Sequence, residues 1–248
     1  ADADLSHLKS FVMGGSPVPA SLPGEIAARL PDLVLANVWG LTEATSIATF
    51  TDGADYLEHP NSAGKPIDGV AVQVSVDGAP PSDVRNAVGE LCVKGPVVTG
   101  GYWNNFVATA ETYVDEWLHT GDVGYIDDDG HVHVKDRLKD MIIRGGENIY
   151  SLEVETVLGT HPDVAEVAVI GIPDDVLGEK VCAVIVPADE DRPPTTVELT
   201  AHAAKSLADY KIPAVFRLAS QLPRNATGKV LKRALTATSQ TMIGDTLK

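Results

Sequence analysis

Between Trp117 and Glu155 the chain reads WLHTGDVGYIDDDGHVHVKDRLKDMIIRGGENIYSLEVE. A Thr-Gly-Asp segment, an Asp-Gly hairpin, an Asp-Arg-x-Lys-Asp link and a double glycine follow one another in it. Asp122 ends His119-Thr120-Gly121-Asp122, expected as a tight turn, and such a carboxylate suits the grip on ribose hydroxyls; it is equally an ordinary hairpin Asp. Gly145 and Gly146, between the apolar strand MIIR and a helix start, permit close backbone approach by a ligand or positive φ; a plain turn fits as well. The order of these features points to a nucleotide site on one side of a hinge and a mobile lid on the other.

Upstream, Asn37-Val38-Trp39-Gly40-Leu41-Thr42-Glu43 closes a strand with an aromatic, a glycine, a hydroxyl and a carboxylate. Trp39 can stack on a base, Gly40 lets backbone approach, Thr42 can bond a phosphate oxygen, and Glu43 can hold a metal. The competing view is a strand-to-helix turn capped by Thr42, with Glu43 in the first turn. Downstream, Pro223-Arg224-Asn225-Ala226-Thr227-Gly228-Lys229 contains a Gly-Lys pair but is no Walker loop, because Pro223 and Val230 occupy the glycine and Ser/Thr positions. It presents one lysine before a helix. Asp127-Asp128-Asp129-Gly130 lacks calcium-loop spacing and reads as a solvated hairpin turn. His131 and His133 alternate on a strand with no third ligand in view, and read as surface histidines.

The elements that must position these groups fall into two halves divided near Asp136–Asp140. Leu8–Met13 reads as a strand, Leu22–Leu30 as a helix with Pro23 in its first turn, and Leu33–Val38 as a buried strand. From Gly64 the alternating runs VAVQVSVDG, GELCVKG and DVGYIDDDGHVHVK predict the hairpins of a small barrel, with a helical turn over Ala108–Thr112. The second half is α/β. Ser151 is expected to cap a helix to Leu158, with Glu153 and Glu155 near its start. Strands follow at Val164–Ile170, Lys180–Pro187 and Val215–Leu218. A helix over Thr196–Leu207 places Leu199, Ala203 and Leu207 on one face, and a last helix covers Lys229–Thr238.

Composition sets the bounds. With 248 residues, 44% hydrophobic and 22% charged, the chain suits a globular protein of one or two domains. A net charge of −16 argues against nucleic acid and against an anionic membrane surface. The two cysteines, Cys92 and Cys182, sit in apolar runs and are expected reduced and buried. No signal peptide or membrane-length apolar run is visible, so a cytoplasmic enzyme is expected. The opening at Ala1 without Met reads as entry into the middle of a fold.

These motifs resemble the adenylate-forming superfamily, and within it the acyl-CoA synthetases (fatty-acid-CoA ligases). The resemblance spans GGSPVP, NVWGLTEA, GELCVKGP with GYWNN, WLHTGDVGYIDDDG, KDRLKDMIIRGGENIYSLEVE, HPDVAEVAVIGIPDDVLGEKV and LPRNATGKVLKRAL. It implies a mixed α/β fold: a partial AMP-binding core with a small β-barrel over residues 1–136, a hinge at 137–139 and an α/β lid over 140–248. The implied reaction joins ATP and a carboxylic acid into an acyl-adenylate, then transfers the acyl group to CoA, with magnesium assisting. By resemblance, Gly14 and Gly15 line the acyl-adenylate pocket, Asn37 faces the adenine edge and Trp39 stacks on it. Thr42 bonds the α-phosphate, Glu43 binds magnesium, and Asp122 and Arg137 hold the ribose. Lys139 is the hinge, Gly145 and Gly146 border the pantetheine channel, and Lys229 is the adenylation lysine.

Two departures stand out. The family usually has Tyr at the Trp39 position, and its Ser/Thr/Gly-rich loop for the β- and γ-phosphates is not found here. The chain therefore resembles the C-terminal half of a synthetase, inactive alone, with an apolar surface toward a missing N-terminal half. The alternatives are an amino-acid-adenylating domain, which the DRLKDMIIRGGENIYSLEVE wording disfavours, and a non-catalytic AMP- or CoA-binding module.

Overall fold

The computed structural model describes residues 4–5, 7–226 and 228–239. It divides into two compact units, Ala1–Lys135 and Asp136–Lys248. The fold is mixed α/β, with three sheets among the described residues.

In the first unit, β1 (Ser10–Gly14) lies parallel to β2 (Val34–Trp39), with helix α1 (Ser21–Arg29) as the crossover. Strand β3 (Thr49–Asp52) pairs antiparallel with β2, then α2 (Gly53–Glu58) leads toward the two-residue β4 (Lys65–Pro66). Met13, Leu35 and Tyr56 pack with Leu22 and Ile26 of α1, so both helices cover one face of this sheet. The sheet leaves Phe11, Val12, Val34 and Phe50 between 41% and 55% exposed.

The second sheet is the half-barrel: β5 (Ala71–Ser75), β6 (Gly89–Lys94), β7 (Tyr113–Val114), β8 (Trp117–Ile126) and β9 (Val132–Arg137), with α3 (Phe106–Thr112) before β7. Alternation works here because one face is buried. Val72, Val74, Leu91, Val93, Leu118, Ile126 and Val132 pack against Trp39, Ala44 and Ala48. At roughly 1.5–3 kcal/mol for each fully buried aliphatic side chain, this contact holds the half-barrel to the end of β2.

The second unit holds β10 (Ile142–Arg144), β11 (Glu147–Ile149), α4 (Ser151–Leu158), β12 (Val164–Asp174), β13 (Gly178–Pro187), α5 (Thr196–Ala203), β14 (Val215–Leu218) and α6 (Lys232–Ser239). Strand β13 pairs antiparallel with β12 and parallel with β14. Both of its faces are buried. Val181, Ala183 and Ile185 meet α4 and α5, while Cys182, Val184 and Val186 face the α6 side. Cys92 and Cys182 are free, buried thiols.

Three expected elements change. Helix α5 stops at Ala203, although Leu199, Ala203 and Leu207 do share the core, and Thr195 with Glu198 forms its capping box. The last helix begins at Lys232 instead of Lys229, because 223–231 closes on itself first. Ser151 does not cap α4; Tyr150 is the N-cap residue and makes no side-chain capping hydrogen bond. The Ser151 hydroxyl instead donates to Asp136 Oδ2 at 2.7 Å and accepts from Lys232 Nζ at 2.6 Å. Lys232 also meets Glu155 at 2.7 Å, and Glu155 accepts the Val169 amide at 2.7 Å. This buried polar chain ties Asp136, α4, α6 and β12 together.

Burial raises the Glu155 pKa, an effect partly offset by Lys232. Removing that partner leaves the carboxylate uncompensated, and Lys232→Met is expected to destabilise the second unit by about 3 kcal/mol at neutral pH. A carboxyl whose folded pKa stands above its unfolded value loses stability as pH rises through the folded value. The deficit against wild type should therefore shrink as pH falls toward the ordinary 4.5. Urea unfolding of both proteins at neutral and acidic pH checks the sign; a deficit that grows on acidification contradicts it.

Candidate functional site

Glycine sets the close approach at the ends of β1 and β2. A Cβ on Gly14 would come within 2.7 Å of the Val38 carbonyl oxygen, and Gly15 has φ +74° with open space around it. Asn37 is fastened from within: its Nδ2 donates to the Ser62 carbonyl at 2.9 Å and its Oδ1 accepts the Val38 amide at 3.1 Å.

The segment after β2 closes into a loop, with the Ala48 amide donating to the Trp39 carbonyl at 2.9 Å. A Cβ on Gly40 would meet the Ser46 carbonyl oxygen at 1.9 Å, so only glycine fits there. Thr42–Ala44 form a single 3₁₀ turn, followed by Thr45 at φ 52° and Ser46 at φ 95°. Two consecutive non-glycine residues with positive φ are costly and persist where surroundings fix them; the Thr45 hydroxyl is anchored on the Val97 carbonyl. Thr42 is exposed at the turn. Glu43, next to it, accepts a 2.6 Å hydrogen bond from the Tyr102 hydroxyl, and its own carbonyl accepts from the Thr99 amide. That bond to Glu43, with some burial, pushes the Tyr102 phenol above its ordinary pKa.

The His119-Thr120-Gly121-Asp122 segment is not a tight turn. It lies inside the ten-residue strand β8, where the register against β6 slips between Glu90 and Cys92. Such a bulge re-aims a side chain without ending the strand. Glu90 holds it from the neighbouring strand: one carboxylate oxygen accepts from the Gly121 amide at 2.8 Å and the other lies 2.7 Å from His119 Nδ1. Thr120 donates to the Leu91 carbonyl and accepts the Asp122 amide. Asp122 itself is 4% exposed, and its Oδ2 accepts the indole N–H of Trp39 at 2.9 Å. Two motifs 83 residues apart thus meet in one buried hydrogen bond.

The remaining expected site residues belong to the second unit. Arg137 is exposed at the end of β9, with its amide donating to Asp136. Lys139 is exposed in the 3₁₀ turn Leu138–Asp140 that joins β9 to β10. Gly145 and Gly146, with φ +60° and +88°, are the two central residues of the β10–β11 hairpin. Positive φ at both positions is what a type I′ turn demands, so a strand, not a helix, follows the double glycine. Lys229 is exposed on a loop in which the Asn225 amide donates to the Lys229 carbonyl and the Lys229 amide to Asn225 Oδ1, both at 2.9 Å. Arg224 pins that loop to Glu166 of β12 and to the Gly228 carbonyl. Thr227 lies outside the described residues. Tyr102 and Glu90 stand out in no motif by residue type; the only signal is their place in GYWNN and GELCVKGP.

Comparison with known proteins bears on these residues. The AMP-binding enzyme family model matches residues 1–103, and the AMP-binding enzyme C-terminal domain model matches 153–229. A fatty acid–[acyl-carrier-protein] ligase of Streptomyces coeruleorubidus is 40% identical over 235 residues, covering 94% of this chain and 45% of that protein. A feruloyl-CoA synthase of Amycolatopsis is 45% identical over 235 residues, covering 93% and 46%. The solved o-succinylbenzoate CoA synthetase of Bacillus subtilis, in complex with its acyl-adenylate intermediate, superposes with a TM-score of 0.86 at 35% identity, covering 97% of this chain and 47% of that one. The chain spans about half the length of the curated relatives it matches.

Trp39→Phe keeps an aromatic ring in the buried face but removes part of the indole and, with it, the donor to Asp122. Loss of a hydrogen bond to a charged acceptor is expected to cost about 1.5–3 kcal/mol. Chemical unfolding followed by circular dichroism checks it; an unchanged midpoint would mean that Asp122 finds an equivalent donor.

Proposed function

Since the chain belongs to the AMP-binding, adenylate-forming enzyme family, we propose that it takes part in activating a carboxylic acid with ATP and passing the acyl group to the thiol of CoA. The observation that carries this is the Trp39–Asp122 hydrogen bond, which unites the aromatic and carboxylate motifs expected to hold a nucleoside. In the first step the acid's carboxylate oxygen attacks the α-phosphorus and pyrophosphate leaves. In the second the thiol sulfur attacks the acyl carbonyl, its proton departs to solvent, and AMP leaves.

On this reading Trp39, Asn37 and Gly40 border the base, and Asp122 with Arg137 holds the ribose. Gly14 and Gly15 give the acyl-adenylate backbone clearance, and Thr42 donates to the α-phosphate. Glu43 suits magnesium, being a half-exposed carboxylate already oriented by Tyr102; hard oxygen donors are what that ion prefers. Magnesium would supply charge neutralisation on the phosphates. Lys229 contributes an ammonium where negative charge develops. Lys139, in the three-residue turn Leu138–Asp140, is the hinge, residues 140–248 are the lid, and the Gly145–Gly146 hairpin borders the pantetheine path in the second step. A further segment, corresponding to the other half of the relatives, supplies the acid pocket and the β- and γ-phosphate loop. The exposed apolar Phe11, Val12, Val34 and Phe50 suit contact with it. Fatty acids remain the proposed substrate class, and a cytoplasmic location the proposed setting; among the described residues no helix is long and apolar enough to cross a membrane.

In the enzyme that carries this chain, Lys229→Ala is expected to slow adenylation about 10²- to 10³-fold, by analogy with a lost transition-state donor. Thioester formation from pre-formed acyl-adenylate should be spared. Acid-dependent pyrophosphate exchange and acyl transfer from synthetic adenylate, measured side by side, separate the two halves. Equal losses in both would remove Lys229 from the proposed role.

A further inference from the structure

The first unit also brings α2 and the β8–β9 turn together through imidazoles and carboxylates. Asp55 and His59 stand four residues apart, on α2 and its C-cap, and so share one face. His131, 76 residues from Asp55, is 1% exposed; its Nε2 lies 3.1 Å from Asp55 Oδ1 and 3.2 Å from Oδ2. It is therefore no surface histidine. His59 Nδ1 lies 3.5 Å from the same Oδ1, and the two rings stack with centroids 4.1 Å apart. One donor atom from each of the three residues lies within 4.8 Å of the others.

We infer that Asp55, His59 and His131 form a binding site for a divalent cation of the zinc class, with two imidazole nitrogens and one carboxylate oxygen as ligands and a fourth position open to water. The nitrogen–oxygen spacing suits it, and a turn of the partly exposed His59 ring out of its stack on His131 brings both in-plane lone pairs to the cation. Bonds of about 2.0–2.1 Å in a tetrahedral site place neighbouring ligand atoms about 3.3–3.4 Å apart, and the nitrogen–Oδ1 separations here are 3.1 and 3.5 Å.

A supporting shell is already in place. The Thr51 hydroxyl donates to Asp55 Oδ2 at 2.7 Å, which leaves Oδ1 to the imidazoles. The far nitrogen of His131, Nδ1, is buried without a hydrogen-bond partner and lies 3.7 Å from Asp127 Oδ1. Asp127 is itself held by His133 Nε2 at 2.8 Å. A carboxylate behind a ligating imidazole fixes its tautomer and raises its basicity; with the cation on Nε2, the Nδ1 proton faces Asp127. His59 Nδ1 also lies 3.1 Å from the Asp55 carbonyl, a contact that ligation replaces. The side chains of Asp55 and His59 are 45% and 33% exposed, so the cation enters from solvent and His131 closes the inner side. Bound there, it would staple α2 to the β8–β9 turn.

Glu90, Cys92 and His119 also cluster, but they make a weaker site. Burial pushes the Cys92 thiol up to about 12, and both Glu90 oxygens are already engaged by Gly121 and His119.

The test titrates the chelator-stripped 248-residue chain with zinc by calorimetry and with cobalt(II) by visible absorption. Saturable one-to-one binding, cobalt bands of four-coordinate intensity and a zinc-dependent rise in melting temperature are expected. Asp55→Asn and His59→Asn, with folding checked by circular dichroism, should each weaken binding more than the roughly 10- to 100-fold typical of an outer-shell loss, and Asp127→Asn within that range. His119→Gln should leave affinity unchanged. No saturable binding to the folded chain, binding that survives both first variants, or binding abolished by His119→Gln would overturn the assignment.

Discussion

A carboxylate sealed from water must find its donors inside the protein, and the arrangement of the first unit follows from satisfying Asp122. Its Oδ2 takes the indole N–H of Trp39, so the end of β2 and the middle of β8 are held in one relation. For Asp122 to reach that position β8 has to bulge, and Glu90 of β6 fills the break by accepting from Gly121 and engaging His119. A one-residue slip of β8 would turn Leu118, Val123 and Ile126 away from the core and strand the carboxylate at once. Hydrophobic alternation and one buried charge thus specify the same register. The Trp at position 39 keeps an aromatic face and gains a donor aimed at the carboxylate proposed to grip ribose, so local stability and the proposed function draw on the same bond.

Periodic elements were legible because their pattern is local. The α1, β2, β13 and β14 segments follow apolar spacing and turn residues alone, and the half-barrel follows from alternation between Asp-Gly turns. What escaped depends on partners far along the chain. A bulge at Thr120–Asp122 leaves no mark in β8 itself, because it exists only against Leu91. Ser151 has the sequence context of a cap, yet Asp136 and Lys232 offer stronger charged partners and draw its hydroxyl away. His131 alternates like a surface residue and is buried because Asp55 waits 76 residues upstream. The three residues of β11 carry no strand signature; the positive φ of the double glycine, a hairpin demand, decides their state. Of the candidate site, the motif residues could be nominated from sequence, whereas Tyr102 and Glu90, which orient Glu43 and the Asp122 bulge, could not.

The two units place different demands on the proposed chemistry. Asp122, proposed to hold the ribose, is buried, while Lys229 sits exposed on a loop braced by Arg224 and Glu166. At about 4 Å a lysine and a phosphate charge interact by roughly 1 kcal/mol in bulk water, and by about four times that at an effective dielectric near 20. A solvated Lys229 therefore contributes little to adenylation until water is excluded around it. In the proposed second step the same loop would withdraw to leave the acyl carbon open to the thiol. A short 3₁₀ turn, Leu138–Asp140, is where φ and ψ changes at few residues could produce both states. The buried chain from Asp136 through Ser151 and Lys232 to Glu155 starts two residues before that turn. It ties α4, α6 and β12 together, so that under the proposed hinge a rotation confined to the turn would carry them as one piece.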